Sequence, residues 1–410
     1  MPDVRLTGAK CCYNTPGTAQ PPREEDRLAQ KMTSRERMLG ALRRQQVDYV
    51  PCCPFFSASQ KGPQYTWQAY ADSLDQIVNG LGLDSYVSVE VEASWHPEVA
   101  SRVWREHPSA QRFPVLHKEI TTPAGPLTAA VWLTDDWPHG DDIPLNSDWN
   151  VSRFVKPWLE TEQDVERYRY VQMPPSDEEI SDARARFVSH KKVADQFSVI
   201  TYAGCGMGLT AAIQLLGPER AVTVSMDSPQ LIERFLQIEH EATMRRAEIL
   251  ADLGVDVICR NGFYETTDFW SPQQIASLVL PLLKQEIEAM RSAGAAVTYT
   301  VCTGIMPILD ILADLDFDAY NAIEPVLTGQ DMGLIADKLC DRHAIWGGVS
   351  GPVHIGHGTP ETARQAVREA MDTFGPRGLV LNAVPSIRAH WPRENVEAMF
   401  DEWRQVRNKQ

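Results

Sequence analysis

The 410-residue chain has no apolar run approaching the roughly 18 to 20 residues needed to cross a bilayer. Its first residues, MPDVRLTGAKCCYNTPG, lack the apolar core of a secretory leader, so a cytoplasmic location is expected. Cations are in short supply: 39 Lys plus Arg against 55 Asp plus Glu leave a formal net charge of −16. So acidic a chain does not neutralise phosphates over a broad face, which argues against nucleic acid or an anionic membrane as its main partner, although a local basic pocket remains open. Eight cysteines without regular spacing make no disulfide framework. The adjacent pairs Cys11–Cys12 and Cys52–Cys53 have the wrong geometry to bridge each other, and a reducing compartment fits best. There is no internal repeat. The glycine-rich YAGCGMGLTAA could present amides to an anion, but its spacing is neither a P-loop nor a dinucleotide fingerprint, and close backbone packing is the better reading.

What is present fits one decorated domain. The hydrophobic fraction of 43% supplies a substantial core. Residues 1–30 are polar, rich in Pro and Gly and aperiodic, so a mobile extension is expected there, with a single domain over 31–410. Thr33 and Glu36 have capping-box spacing and open a helix whose Met38, Leu39 and Leu42 share a face. Eight strand-like runs follow: Asp48–Cys53, Ser85–Val91, Phe197–Ala203, Val255–Cys259, Ala296–Val301, Asp318–Ile323, His343–Val349 and Gly378–Ala383. Amphipathic helical stretches separate most of them, which implies parallel pairing and an α/β fold, a (β/α)8 TIM barrel. A doubly wound open sheet is the competitor. The interval after the second strand, about 100–190, is too long for one crossover. It contains FPVLHKEITTPAGPLTAAVWL, which reads as a β-hairpin insertion. Trp137, Trp149 and Trp158 behind it are expected to cover one barrel end.

Several segments resemble a known family in the order they occur. The opening MTSRERMLGALRRQQVDYVP is similar to the start of uroporphyrinogen decarboxylase-like proteins and of their corrinoid-linked methyltransferase relatives. TPAGPLTAAV and VCTGIMPILDILADLDFDAYNAIEP resemble the methyltransferase-like branch. WGGVSGPVHIGHGTPETARQAVREAM and RGLVLNAVPSIRAHWPRENVEAMFDEW resemble the last two β/α units. The likeness spans roughly residues 32–407 and implies the same barrel.

The marker residues of both branches are missing. True decarboxylases carry an Arg-Gln-Ala-Gly-Arg segment after the first strand to bind carboxylates; here the stretch is CCPFFSASQKGPQY, with a lone Lys61. Burying many carboxylates without guanidinium partners costs several kcal/mol per charge, so a porphyrinogen substrate is not expected. The methyltransferase branch holds a thiol-activating zinc with a His-x-Cys motif and a late Cys. Those positions are Thr300, Cys302 and the vicinity of Pro385, so zinc of that type is not expected and no metal ligand is assigned. Replacement ligands from Glu324, His354, His357 or His390 stay open. DRHAIWG is one residue too long for the corrinoid-ligating Asp-x-His-x-x-Gly, so a corrinoid, if used, would come on a partner protein. The resemblance also leaves a homodimer open.

Residues just past the barrel strands are the site candidates. Arg260 and Asn261, followed by Tyr264, Glu265 and Asp268, could bind a substrate carboxylate or phosphate; the bland alternative is an ion pair from Arg260 to Glu265 or Asp268. Glu324 could serve as acid, base or ligand, or merely compensate a helix terminus. Cys302 could be a nucleophile, or packing. His354 and His357 form a weak metal signal in a glycine-shaped loop. Trp95, His96, Arg388, His390 and Trp391 could form an aromatic and cationic rim for a small ligand, although Trp391 could equally pack under the hairpin. The expected catalytic set is Glu324, Cys302 and Glu265, with Arg260, Asn261, Tyr264, Asp268, Trp95, His96, His354, Arg388 and His390 binding substrate. The leading expectation is demethylation of a small metabolite with a corrinoid partner. The alternatives are a metal-independent decarboxylase of a small acid and a non-catalytic binder.

Overall fold

The computed structural model describes residues 31–57, 73–109 and 111–408, the side chain of residue 328 excepted. The expected extension over 1–30 and Lys61 lie outside these residues. From Met32 onward the chain forms one compact unit.

Thirteen strands are described: β1 (Phe56–Ser57), β2 (Tyr86–Ser88), β3 (Ala100–Glu106), β4 (Val115–Thr122), β5 (Gly125–Trp132), β6 (Phe154–Lys156), β7 (Ile200–Gly204), β8 (Val257–Asn261), β9 (Ala296–Thr300), β10 (Ala319–Asn321), β11 (Ala344–Ser350), β12 (Leu379–Val384) and β13 (Ile387–Arg388). Seven form a parallel sheet in the order β12-β11-β10-β9-β8-β7-β2, and all seven fall within or against runs read from the sequence. Helices such as Pro229–Leu253 and Pro360–Phe374 make the crossovers that parallel pairing requires.

The first expected strand, Asp48–Cys53, is reduced to a single parallel bridge between Cys52 and Leu381. Pro51 and Pro54 lack the amide donors a longer ladder would need. This short segment still touches both edges of the sheet. Cys53 N–H donates to Leu381 O at 3.1 Å and Asp84 N–H to Cys52 O at 2.9 Å, so the sheet curls.

The concave face encloses Ile200, Val257, Ala296, Ala319, Ala344, Trp346 and Val380, with Phe55, Tyr86 and Tyr202 packed on them. Helix Ser34–Leu42 opens with the Thr33–Glu36 capping box and buries Met38, Ala41 and Leu42 against this cluster. The helix is clamped by Arg37, itself 3% exposed, which pairs with Asp48 and Asp84, each at 2.7 Å. Farther along the strands the concave face turns polar: Asn321 Nδ2 donates to Thr298 Oγ1 at 3.3 Å and lies 3.5 Å from Cys259 Sγ.

Between β2 and β7 the chain builds a separate antiparallel sheet, β3-β4-β5-β6. β4 and β5 pair in register from Val115↔Trp132 to Thr122↔Gly125, around Pro123–Ala124. This sheet gains an outer strand on each side beyond the two runs read from the sequence. Leu116, Ile120, Leu127, Ala129 and Val131 share the core with Trp158 and Tyr168. Trp158 is therefore a core residue, whereas the sequence reading placed it over a barrel end.

Candidate active site

Strand parity decides where the charged residues go. Successive residues of β8 point to opposite faces. Val257 belongs to the concave cluster, and Cys259 lies 3.2 Å from Thr300 Oγ1 and near Asn321, so Arg260 points outward. Its guanidinium is 3% exposed. Nε donates to Glu286 at 2.6 Å, Nη2 to Glu265 at 3.1 Å and Nη1 to Asn261 O at 3.1 Å. Glu265 also accepts from the Tyr299 hydroxyl at 2.6 Å and from Leu209 N–H at 2.9 Å, where helix Leu209–Leu216 begins. Glu286 meets His240 Nδ1 at 3.0 Å. Burial raises the Glu286 carboxyl, but Arg260 and His240 outweigh it and leave the group below the ordinary carboxylate range. Burial dominates at Glu265 and holds its carboxyl above that range. Gly208, at φ +51°, passes so close that a Cβ there would collide with Glu265 and Arg260. The expectations that Arg260 grips substrate and that Glu265 is catalytic are therefore corrected. Both are saturated by each other and by the helices behind the sheet.

The mouth is built by the segments after β9, β10 and β11. Glu324 N–H donates to Cys302 O at 3.1 Å, and the Gln330 side-chain amide donates both to Cys302 O (3.1 Å) and to Glu324 O (2.7 Å). One glutamine thus locks two loops. Glu324 is 2% exposed, and its Oε1 accepts from Val326 N–H at 3.0 Å and, more weakly, from Leu327 N–H at 3.4 Å. His354 sits on the π-helical turn Gly351–Gly356, and its Nδ1 accepts Ser350 N–H at 3.1 Å. Nε2 therefore carries the proton of a neutral ring. Burial lowers the His354 pKa, with Glu324 close enough to oppose the shift.

The Cys302 thiol is pushed up to about 12 by burial, then by the Glu324 and Asp268 carboxylates. A thiolate is the nucleophile, and this setting suppresses it, which argues against the expected nucleophilic role.

Beside these groups lies a cavity of about 530 Å³, walled by Asp148, Trp149, Phe263, Tyr264, Ser386 and Arg388 among others. The Tyr264 hydroxyl donates to Asp148 Oδ1 at 3.1 Å, and Gln214 Nε2 donates to the same oxygen at 2.7 Å. Burial raises the Tyr264 pKa first, then Asp148, and more weakly Cys302, which links the cavity to the mouth. Asp148 and Gln214 were not singled out in the sequence. Ser147, which caps the short helix Asp148–Val151, was the available signal.

The remaining candidates separate. Asn261 faces the concave side against Gly204. Asp268 is exposed and accepts from Thr303 Oγ1. Trp95 is exposed and His96 packs edge-on against Tyr170, with ring centroids 5.6 Å apart. Neither lines the cavity, because after β2 the chain pairs Ser94 with Met173 and leads both residues toward β3. That part of the expected rim is corrected. Arg388 does line the cavity, and His390 follows it. Trp391 packs against Gly351 and Gly356 beneath the His354 turn, not under β4 and β5. Among the described residues no three His, Cys, Asp or Glu side chains converge as metal ligands would. The Thr300 hydroxyl is engaged with Cys259, so the donor set does not fit the family's zinc.

A family model described as uroporphyrinogen decarboxylase (URO-D) matches residues 146–406, more than half of the chain. The chain belongs to the uroporphyrinogen decarboxylase family. Among solved structures, a methyltransferase from Methanosarcina mazei is similar over 92% of this chain and 99% of that one, with a TM-score of 0.55 at 18% identity. At that identity the likeness speaks for the fold alone. A B12-independent methionine synthase from Shewanella sp. W3-18-1 aligns over 86% of this chain and 95% of that one, at 12% identity and a TM-score of 0.44, too low to bear an argument. No curated protein matches. No described helix is long and apolar enough to cross a membrane.

Proposed function

We propose that this member of the family is a (β/α)8-barrel enzyme that removes a methyl group from a small metabolite and passes it to a corrinoid carried by a partner protein. Residues 51–53 would complete the barrel by lying between β12 and β2. The observation that carries the reading is the mouth itself: the Glu324 carboxyl is held by its own loop amides, and its charge reaches a neutral His354 whose Nδ1 is already occupied. The fold this chain shares with a methyltransferase can house such chemistry.

The step breaks the bond between the methyl carbon and its heteroatom. The heteroatom keeps the electron pair and takes a proton from Glu324 entering as the carboxylic acid, while the methyl passes to the acceptor. A reduced corrinoid supplies the nucleophile. Glu324, entering the step as the acid, would protonate the leaving atom and regain its proton from solvent, neutral His354 would orient that atom while keeping its Nε2 proton, and Tyr264 with Trp149 would exclude water from the cavity. No zinc is invoked, since the donor set does not fit one. All six described cysteines are free thiols, which suits a cytosolic enzyme.

The test is demethylation of methoxy and methylamine compounds by the purified protein with reduced cobalamin, followed by methylcobalamin absorbance. Turnover that disappears in Glu324→Gln is the expected result; no turnover across the panel removes the reading.

A further inference from the structure

The cavity wall carries two arginines with different fates. Arg153 is committed: it pairs with Asp136 at 2.8 Å, donates to Thr134 Oγ1 at 2.8 Å and stacks over the Trp149 ring, 4.7 Å from its centroid. Arg388 is exposed, lines the same cavity and makes no side-chain hydrogen bond or ion pair among the described residues. Behind it, His390 Nδ1 is buried without a partner among the described residues. The His390 pKa is held below its ordinary value by burial, then by Arg388 and His357, so the three cationic or imidazole groups share one neighbourhood. The carboxylate in the wall, Asp148, spends one oxygen on Tyr264 and Gln214 and makes no ion pair with Arg388. A chain of net charge −16 thus places a guanidinium with no partner among the described residues at one end of a pocket whose other walls include Trp149, Phe263 and Tyr264.

We propose that Arg388, backed by His390, forms an anion subsite, and that the substrate is a small carboxylate whose planar apolar body packs on Phe263 and Tyr264. This rests on the methyl-transfer reading only for which group reacts; the subsite itself is a binding property. The guanidinium fork meets the carboxylate through two parallel N–H···O bonds, and desolvation in a half-enclosed aromatic pocket strengthens them. His390, the second imidazole, donates to the same anion through whichever ring nitrogen faces it.

The probe is 4-methoxybenzoate against its neutral counterpart 4-methoxybenzamide, with binding to the full chain followed by calorimetry and tryptophan fluorescence. The acid is expected to bind at least tenfold more tightly than the amide. Arg388→Gln should abolish that preference, Arg388→Lys should retain part of it, and His390→Gln should reduce it severalfold. Arg102→Gln, on exposed β3, should leave it unchanged, and thermal melting confirms that each variant folds. Equal affinity for acid and amide, no binding of either, or an unaltered preference in Arg388→Gln overturns the subsite. The two readings fail separately. Tight binding of the acid without demethylation leaves the subsite standing and removes methyl transfer, whereas turnover with no preference for the acid does the reverse.

Discussion

Two buried acidic assemblies lie a few residues apart along the strands and behave oppositely. Outside the sheet, Arg260, Glu265, Glu286 and His240 satisfy one another, and the Tyr299 hydroxyl and Leu209 amide complete the set. At the mouth, Glu324 and His354 are each anchored by one atom to local backbone amides, and no cation among the described residues is paired with the carboxyl. Closed charge accounts make structure. Open ones leave capacity for a ligand. The difference arises from which face of a strand a residue occupies rather than from its type.

The largest effect that would sharpen this contrast is on stability. Glu286→Ala strands Arg260 and His240 in the interior and should cost about 3–5 kcal/mol in chemical denaturation. An Arg260→Met variant that folds normally yet loses ligand binding would reverse the assignment and make Arg260 a substrate contact. Next comes Glu324→Gln, which should lower turnover by about 10²-fold or more while melting within a few degrees of the wild type. Gln can still accept the Val326 amide through its side-chain oxygen. Equal losses in stability and activity would make Glu324 structural too.

Cys302 gives a smaller, negative result. With its thiol pushed up to about 12, alkylation at pH 8 should run on the order of 10²-fold slower than for an ordinary exposed cysteine, and Cys302→Ala should keep turnover within roughly threefold. Fast labelling near neutral pH would reopen the nucleophile. The smallest effect concerns His354. Burial lowers its folded pKa, so below the unfolded value near 6.5 the unfolded chain binds the proton first and stability falls as pH drops. His354→Asn should flatten that acid-side slope in urea titrations; an unchanged slope would mean the ring is not held neutral by the fold.

Much of the scaffold was legible. Apolar runs separated by amphipathic helices located seven parallel strands, and the Thr33–Glu36 spacing located the helix on the concave cluster. The first strand was not, because Pro51 and Pro54 cut its ladder to one bridge while leaving its apolar look intact. The outer strands of the antiparallel sheet, ASRVWRE and FVK, escaped notice because their charges and shortness mask any alternation.

The site was legible in part. The candidates Glu324, Cys302, His354, Tyr264 and Arg388 follow the ends of β10, β9, β11, β8 and β12. Arg260 misled because parallel strands are buried on both faces, so VICRN offers no polar alternation from which to read an outward side chain. Asp148 and Gln214 come from distant segments that only tertiary packing brings to Tyr264.

The packing of Trp391 has a practical consequence for redesign. A Cβ at Gly351 would meet its ring and Val384 O at 2.7 Å, and one at Gly356 would meet Nε1 at 2.8 Å. Any substitution at either position would shove the imidazole-bearing turn off its perch. Laboratory evolution toward new substrates should therefore freeze those two codons and diversify Phe263, Ser386 and Trp149, where side-chain volume can change without moving His354.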